Sequence, residues 1–197
     1  MTTQTITAPN QHRVCPWWVA YFFDNPLRRL IHPADKTLTP YVAKGMSVLD
    51  FGCGFGHYAL GMARLIGESG TVYVADVQQK MLDKTMARAT RAGLEKNIHP
   101  LLCASQGITV PAEVDFVLAS NSIHETPDPA MALVELFGVL KPGGRFLLIE
   151  PRGHLKVEAF ENEINQAITA GFVEVGRPAL SRQMCVLFQK SVLKTTT

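Results

Sequence analysis

Asp50-Phe51-Gly52-Cys53-Gly54-Phe55-Gly56-His57 sets three glycines at alternate positions between an apolar run and a helical pattern. Glycine lacks a Cβ and admits φ > 0, so a ligand can lie against bare main chain. The helix that follows opens with unpaired N–H groups. A tight strand-to-helix turn would use the same residues, so the loop alone is a weak sign of a ligand. Asp76 strengthens it. This acid stands twenty positions past Gly56, at the end of the next apolar run. A βα unit would bring it beside the loop, where it can accept hydrogen bonds from two ribose hydroxyls. Loop and acid together read as a nucleotide site, and their geometry suits NAD as well as other nucleosides.

A second cluster, Asn121-Ser122-Ile123-His124-Glu125, follows the fourth expected strand. Ligands of parallel sheets bind beyond the carboxyl ends of the strands. His124 is the candidate for orienting or deprotonating a bound substrate, because a neutral imidazole takes up a proton near pH 7. The alternative is a histidine hydrogen-bonded to nearby backbone. The topology places His57 and Tyr58, at the loop exit, on the same side as Glu150 and Arg152 after the fifth strand. Trp17, Trp18 and Tyr21, ahead of the first strand, either pack in the ordinary way or line a small-molecule pocket. No metal centre is expected, since Glu125, Asp128 and Glu150 show no ligand spacing. Cys15, Cys53, Cys103 and Cys185 contain no C-x-x-C pair and read as free thiols.

Strand-like and helix-like patterns alternate from Met46 onward, which predicts parallel βαβ units. Short runs rich in Val, Leu, Ile and Phe predict strands at Ser47–Asp50, Thr71–Ala75, Ile98–Cys103, Val114–Ala119 and Arg145–Ile149, buried on both faces. Helices are expected at His57–Ile66, Gln78–Ala92, Pro129–Val139 and Lys156–Ala170, with Gly67, Gly93 and Gly171 as stops. Leu140-Lys141-Pro142-Gly143-Gly144 reads as a turn before the fifth strand, with a glycine at φ > 0. Two closing strands, Phe172–Val175 and Met184–Gln189, are joined by a connection too short for a crossover helix, so they should be antiparallel. Before the sheet, helical stretches are expected at Pro16–Leu30 and Leu38–Lys44.

These residues resemble the class I S-adenosylmethionine-dependent methyltransferase family, from about Met46 to Gln189. Asp50 to Gly56 is similar to its Asp-x-Gly-x-Gly-x-Gly motif, whereas the dinucleotide fingerprint wants a Gly or Ala at position 57, which is His. Leu140 to Gly144 looks like its Leu-Lys-Pro-Gly-Gly turn. The resemblance implies a Rossmann-like doubly wound α/β sheet of seven strands, order 3-2-1-4-5-7-6, with strand 7 antiparallel and an N-terminal helical cap. It also implies S-adenosylmethionine as cofactor, with Gly52, Gly54 and Gly56 under the methionine part and Asp50 supporting the loop or the amino group. Asp76 would hold the ribose, Val77 would flank the adenine, and Asn121 would lie against the cofactor. The acid that the family often places after its third strand is missing from Cys103-Ala104-Ser105-Gln106, where Ser105 or Gln106 substitutes. A NAD-dependent oxidoreductase and a non-catalytic S-adenosylmethionine-binding module are the competing readings.

A chain of 197 residues that is 47% hydrophobic and 18% charged is expected to fold as one domain. The expected division is a flexible tail at 1–12, a helical cap at 13–45, a methyltransferase domain at 46–190 and a tail at 191–197. A formal charge of +2 with scattered basic residues speaks against nucleic acid as partner and for a small-molecule substrate. No apolar stretch suggests a membrane span, and no secretory leader is visible, so the expected compartment is the cytoplasm. The N-terminal aromatics would serve a homodimer seam as readily as a lid over the site.

Overall fold

The computed structural model describes residues 33–103 and 107–192. Within them a seven-stranded sheet runs β3-β2-β1-β4-β5-β7-β6. Its strands are β1 Ser47–Phe51, β2 Thr71–Asp76, β3 Ile98–Leu102, β4 Val114–Ser120, β5 Leu140–Pro151, β6 Phe172–Gly176 and β7 Gln183–Lys190. The first five pair in parallel, and β7 is antiparallel to both β5 and β6, as the short final connection requires.

Alternation along the strands splits the core into two layers. Val48, Val72, Val74, Phe116, Leu118, Leu147 and Ile149 face one side, covered by α1 Ala34–Leu38, α2 His57–Ile66 and α3 Gln79–Ala92. Leu49, Ala75, Val117, Ala119, Phe146 and Leu148 face the other, covered by α4 Pro129–Val139 and α5 Val157–Thr169. Burial on both faces is why the central strands carry almost no polar residue. The α4 start lies where Pro129 predicts, with the Asp128 carboxylate accepting from Met131 N at 2.9 Å.

Three expectations need correcting. The helix expected at Leu38–Lys44 lies earlier, at Ala34–Leu38, because Pro40 has no N–H to continue the ladder. β3 is not a doubly buried strand but an edge: only Ile98 is fully buried, and Pro100 sits where an edge tolerates a missing donor. The Leu140–Gly144 turn is absorbed into β5 as an excursion, since the step from Val114 to Phe116 on β4 is matched by Leu140 to Arg145 on β5. Gly143 takes φ 78 there, and Lys141 Nζ holds the Asp115 carboxylate at 2.7 Å. Tail 1–12, most of cap 13–45 and the helix expected at Pro16–Leu30 lie outside the described residues.

Candidate cofactor and acceptor site

The glycine loop hangs from the end of β2. Gly52 N and Cys53 N both donate to Ala75 O, at 2.8 and 3.1 Å, and Gly56 N closes the turn on Cys53 O at 2.9 Å. From α3, Thr85 Oγ1 donates to Gly54 O at 2.9 Å and Arg88 Nη1 to Phe55 O at 2.6 Å. The Asp76 carboxylate accepts from Gly54 N at 3.1 Å and Gln78 N at 2.9 Å. Loop and acid therefore face each other. Burial raises the Asp76 carboxyl above its ordinary range, and the donated N–H bonds of Gln78, Gly54 and Val77 pull it back.

Gly52, Gly54 and Gly56 all sit at positive φ, 69, 53 and 72, but they are bare for different reasons. A Cβ on Gly52 would stand 2.4 Å from the Ser122 Cβ, and one on Gly56 would stand 2.6 Å from Thr85 Cγ2. A Cβ on Gly54 would meet nothing within 4 Å. Close packing accounts for the outer two glycines, and the middle one alone presents open backbone. Asp50 lies buried in β1 beneath the loop.

Val77, following Asp76, is 55% exposed, and Leu102 at the end of β3 is 56% exposed. Two large apolar side chains are thus left bare close to Asp76, Val77 following it in the chain and Leu102 standing opposite it in the β2–β3 register. Leu102 escaped sequence reasoning because an edge strand hides no periodicity that would single it out. Cys103 is next; burial, then the charges of Asp76 and Glu135, push its thiol up to about 11, so it is no nucleophile.

The loop after β4 touches this cradle directly. Ser122 Oγ donates to Phe51 O at 2.9 Å, and Asn121 N donates to Ile149 O at 2.7 Å, so the segment is stitched to β1 and β5 together. Asn121 sits at φ 55 with its Oδ1 buried and without a hydrogen-bond partner, as is the hydroxyl of Ser120. A non-glycine residue in that region and an orphaned buried oxygen are both features that cluster at binding sites.

Two residues on, His124 Nδ1 lies 2.5 Å from the Glu150 carboxylate, and its backbone N approaches the same group at 3.5 Å. Glu150 is fully buried at the end of β5. Nδ1 therefore carries the proton given to Glu150, which leaves Nε2 for an acceptor. Glu125 lies 4.0 Å from Nε2, and the His154 ring stands 5.5 Å away. Burial lowers the imidazole's proton affinity, but the hydrogen bond and charge of Glu150, with the charges of Glu125 and Glu163, outweigh it; the pKa is raised above 6.5. The sequence pointed to Glu150 by strand position but not to its pairing with His124, which needs the register of β4 against β5.

His57 and Tyr58 are not brought to this loop. Tyr58 is on the buried face of α2 itself, and His57 lines a cleft with Asp35, Arg64, Arg88 and Arg91 between α1, α2 and α3. The reason is helical direction: α2 turns away from the strand ends at once, carrying its first residues with it. Trp17, Trp18, Tyr21, Ser105 and Gln106 lie outside the described residues.

A family model described as a methyltransferase domain matches residues 43–191, most of the chain. The chain belongs to this methyltransferase family. Among curated relatives of the domain is the ubiquinone/menaquinone biosynthesis C-methyltransferase UbiE of Cronobacter sakazakii, 33% identical over 110 residues, covering 55% of this chain and 44% of the relative. The Pasteurella multocida protein of the same name is 34% identical over 110 residues, covering 55% and 41%. The chain thus spans less than half the length of the curated relatives it matches. A solved SAM-dependent methyltransferase from Aquifex aeolicus superposes with a TM-score of 0.80 at 25% identity, covering 90% of this chain and all of that one. The [4+2]-cyclase SpnF, at 18% identity and a TM-score of 0.68, shares the fold. The methyltransferase domain is a Rossmann-like one, and no helix of the described residues is long and apolar enough to cross a membrane.

Proposed function

We propose that this methyltransferase domain moves the methyl group of S-adenosylmethionine to a small acceptor that carries a dissociable proton, of the phenol or enol class. The observation that carries the reading is the stitching of the His124–Glu150 pair to the glycine cradle through Asn121 and Ser122. Open backbone at Gly54, the Asp76 carboxylate and the orphaned Asn121 oxygen fit the cofactor's main-chain contacts, ribose hydroxyls and charged amino group. Val77 and Leu102 offer the apolar faces for its adenine. Bound there, S-adenosylmethionine supplies an electrophilic methyl on a sulfonium, so the hard activation belongs to the cofactor.

This chain's work is then orientation and proton removal. His124 Nε2 takes the acceptor's proton, Glu150 fixes the tautomer through Nδ1 and stabilises the imidazolium, and the acceptor oxygen, or the ring carbon it activates, becomes the nucleophile. An amine acceptor already holds a free lone pair and has less need of such a pair. The name of the UbiE relatives, C-methyltransferases of ubiquinone and menaquinone biosynthesis, favours an aromatic acceptor of this kind. Calorimetry should show micromolar binding of S-adenosylmethionine and of its demethylated product. Labelled methyl should pass to hydroxylated aromatics ahead of amines of similar size. A folded sample that gives no heat with either ligand refutes the reading.

A further inference from the structure

α5 carries an ionisable group where its pattern calls for an apolar one. Phe160, Glu163, Ile164 and Ala167 form the inner stripe of the helix at the spacing of one face, and all four are buried. Glu163 is 5% exposed, and its Oε2 has no hydrogen-bond partner. On β5, Phe146 and Leu148 point toward α5, so Glu150, two residues further, points the same way. Two buried carboxyls thus belong to one layer, one from the helix and one from the sheet, and Glu163 feels the charges of both Glu150 and His124.

Resting on the reading of His124 as the acceptor-side group, we propose that Glu163 is a positioning residue of the transfer. It is the rear member of a buried line from α5 through Glu150 to His124, and its ionisation sets the charge against which His124 exchanges its proton. The charged groups that act on Glu163 are Glu150 of β5 and His124 of the β4 loop; those acting on His124 are Glu150, Glu125 and Glu163. Other buried residues of α4 and β7 in this layer, such as Leu133, Leu136 and Met184, are apolar. Burial first and the charge of Glu150 second push the Glu163 carboxyl up to about 8, with His124 opposing. Below that pH the imidazole works against Glu150 and Glu125; above it a further negative charge is added, and the imidazole holds its proton more tightly.

The test follows the His124 ring and the glutamate side-chain carbons of the isotopically labelled full chain by NMR, from about pH 5 to about pH 10. kcat/KM is measured over the same range with a phenolic acceptor. In the wild type the His124 ring should show a second step whose midpoint matches one glutamate carbon titrating near pH 8. Glu163→Gln should remove that step and the matching inflection in kcat/KM. A merely structural Glu163 would move neither curve. A single His124 step in the wild type, or a second step that survives in Glu163→Gln, overturns the proposal. Should that variant not fold, the wild-type match between ring and carbon decides alone. Coupling in the ring without any trace in kcat/KM overturns it through the acceptor-side reading of His124, leaving the contact itself intact.

Discussion

Alanine placed in turn at the three loop glycines should separate folding from cofactor binding. All three sit at positive φ, so each pays a left-handed penalty of about 1–2 kcal/mol. At Gly52 and Gly56 a further cost of about 1–3 kcal/mol arises, because the new Cβ would stand 2.4 Å from Ser122 Cβ and 2.6 Å from Thr85 Cγ2. These two variants should therefore lose about 2–5 kcal/mol. Gly54→Ala meets nothing within 4 Å, so its loss stops at the backbone penalty. For a chain this long that is a drop in Tm of a few degrees, at about 2–4 °C per kcal/mol. Its methyl group would stand in the space assigned to the cofactor, and displacement worth about 1–3 kcal/mol weakens binding by about 5- to 150-fold. Urea unfolding and calorimetry with S-adenosylmethionine on the same three variants make the comparison. Gly54→Ala binding as tightly as wild type would refute the assignment of open backbone to the cofactor, whatever the other two do.

Asp76→Ala should reduce S-adenosylmethionine affinity by about 100-fold or more, since hydrogen bonds to a charged group are worth about 1.5–3 kcal/mol each; calorimetry reads it. His124→Ala should slow methyl transfer by about 10²- to 10⁴-fold while leaving cofactor affinity nearly unchanged, the range of a positioned base; loss of affinity instead would reassign the residue. Transfer needs the neutral imidazole and its pKa is raised, so kcat/KM should climb with pH through a midpoint above 6.5; Glu150→Gln should move that midpoint down. Glu163 keeps its proton to about 8 in the fold but ionises near its ordinary 4.5 when unfolded. Between those values the unfolded chain binds fewer protons, so stability falls as pH rises, at about 1.4 kcal/mol per pH unit. Glu163→Gln should gain about 2 kcal/mol on wild type between about pH 5.5 and pH 7 in urea titrations.

The antiparallel closing pair and the meeting of loop with Asp76 were legible because each rests on local chemistry, namely strand period, glycine stops and the spacing of a βα unit, whereas the sheet order came from the family resemblance. The edge character of β3 was not, since exposure depends on which strands neighbour it and not on its own residues. His124 was legible as a residue type at a strand end. Its partner was not, because Glu150 lies on another strand and only the β4–β5 register, Ser120 beside Ile149, brings the two ends together. Glu163 broke the apolar stripe of its helix in plain sight, but an inward glutamate acquires meaning only when the sheet residue opposite it is known. The division among the three glycines was hidden for the same reason: Ser122 and Thr85 come to the loop from 70 and 29 residues away in sequence.

Asp76 holds the Gly54 and Gln78 amides with the same carboxylate that we propose for the ribose. On the proposed reading one side chain is thus both a structural peg of the turn and the reader of the sugar, with about four lone-pair directions to share between them. Attempts to retune the enzyme toward cofactors with an altered sugar would deform the turn along with the recognition. Engineering for enlarged transferable groups has a freer route through the β4 loop, where a change of shape leaves that peg in place.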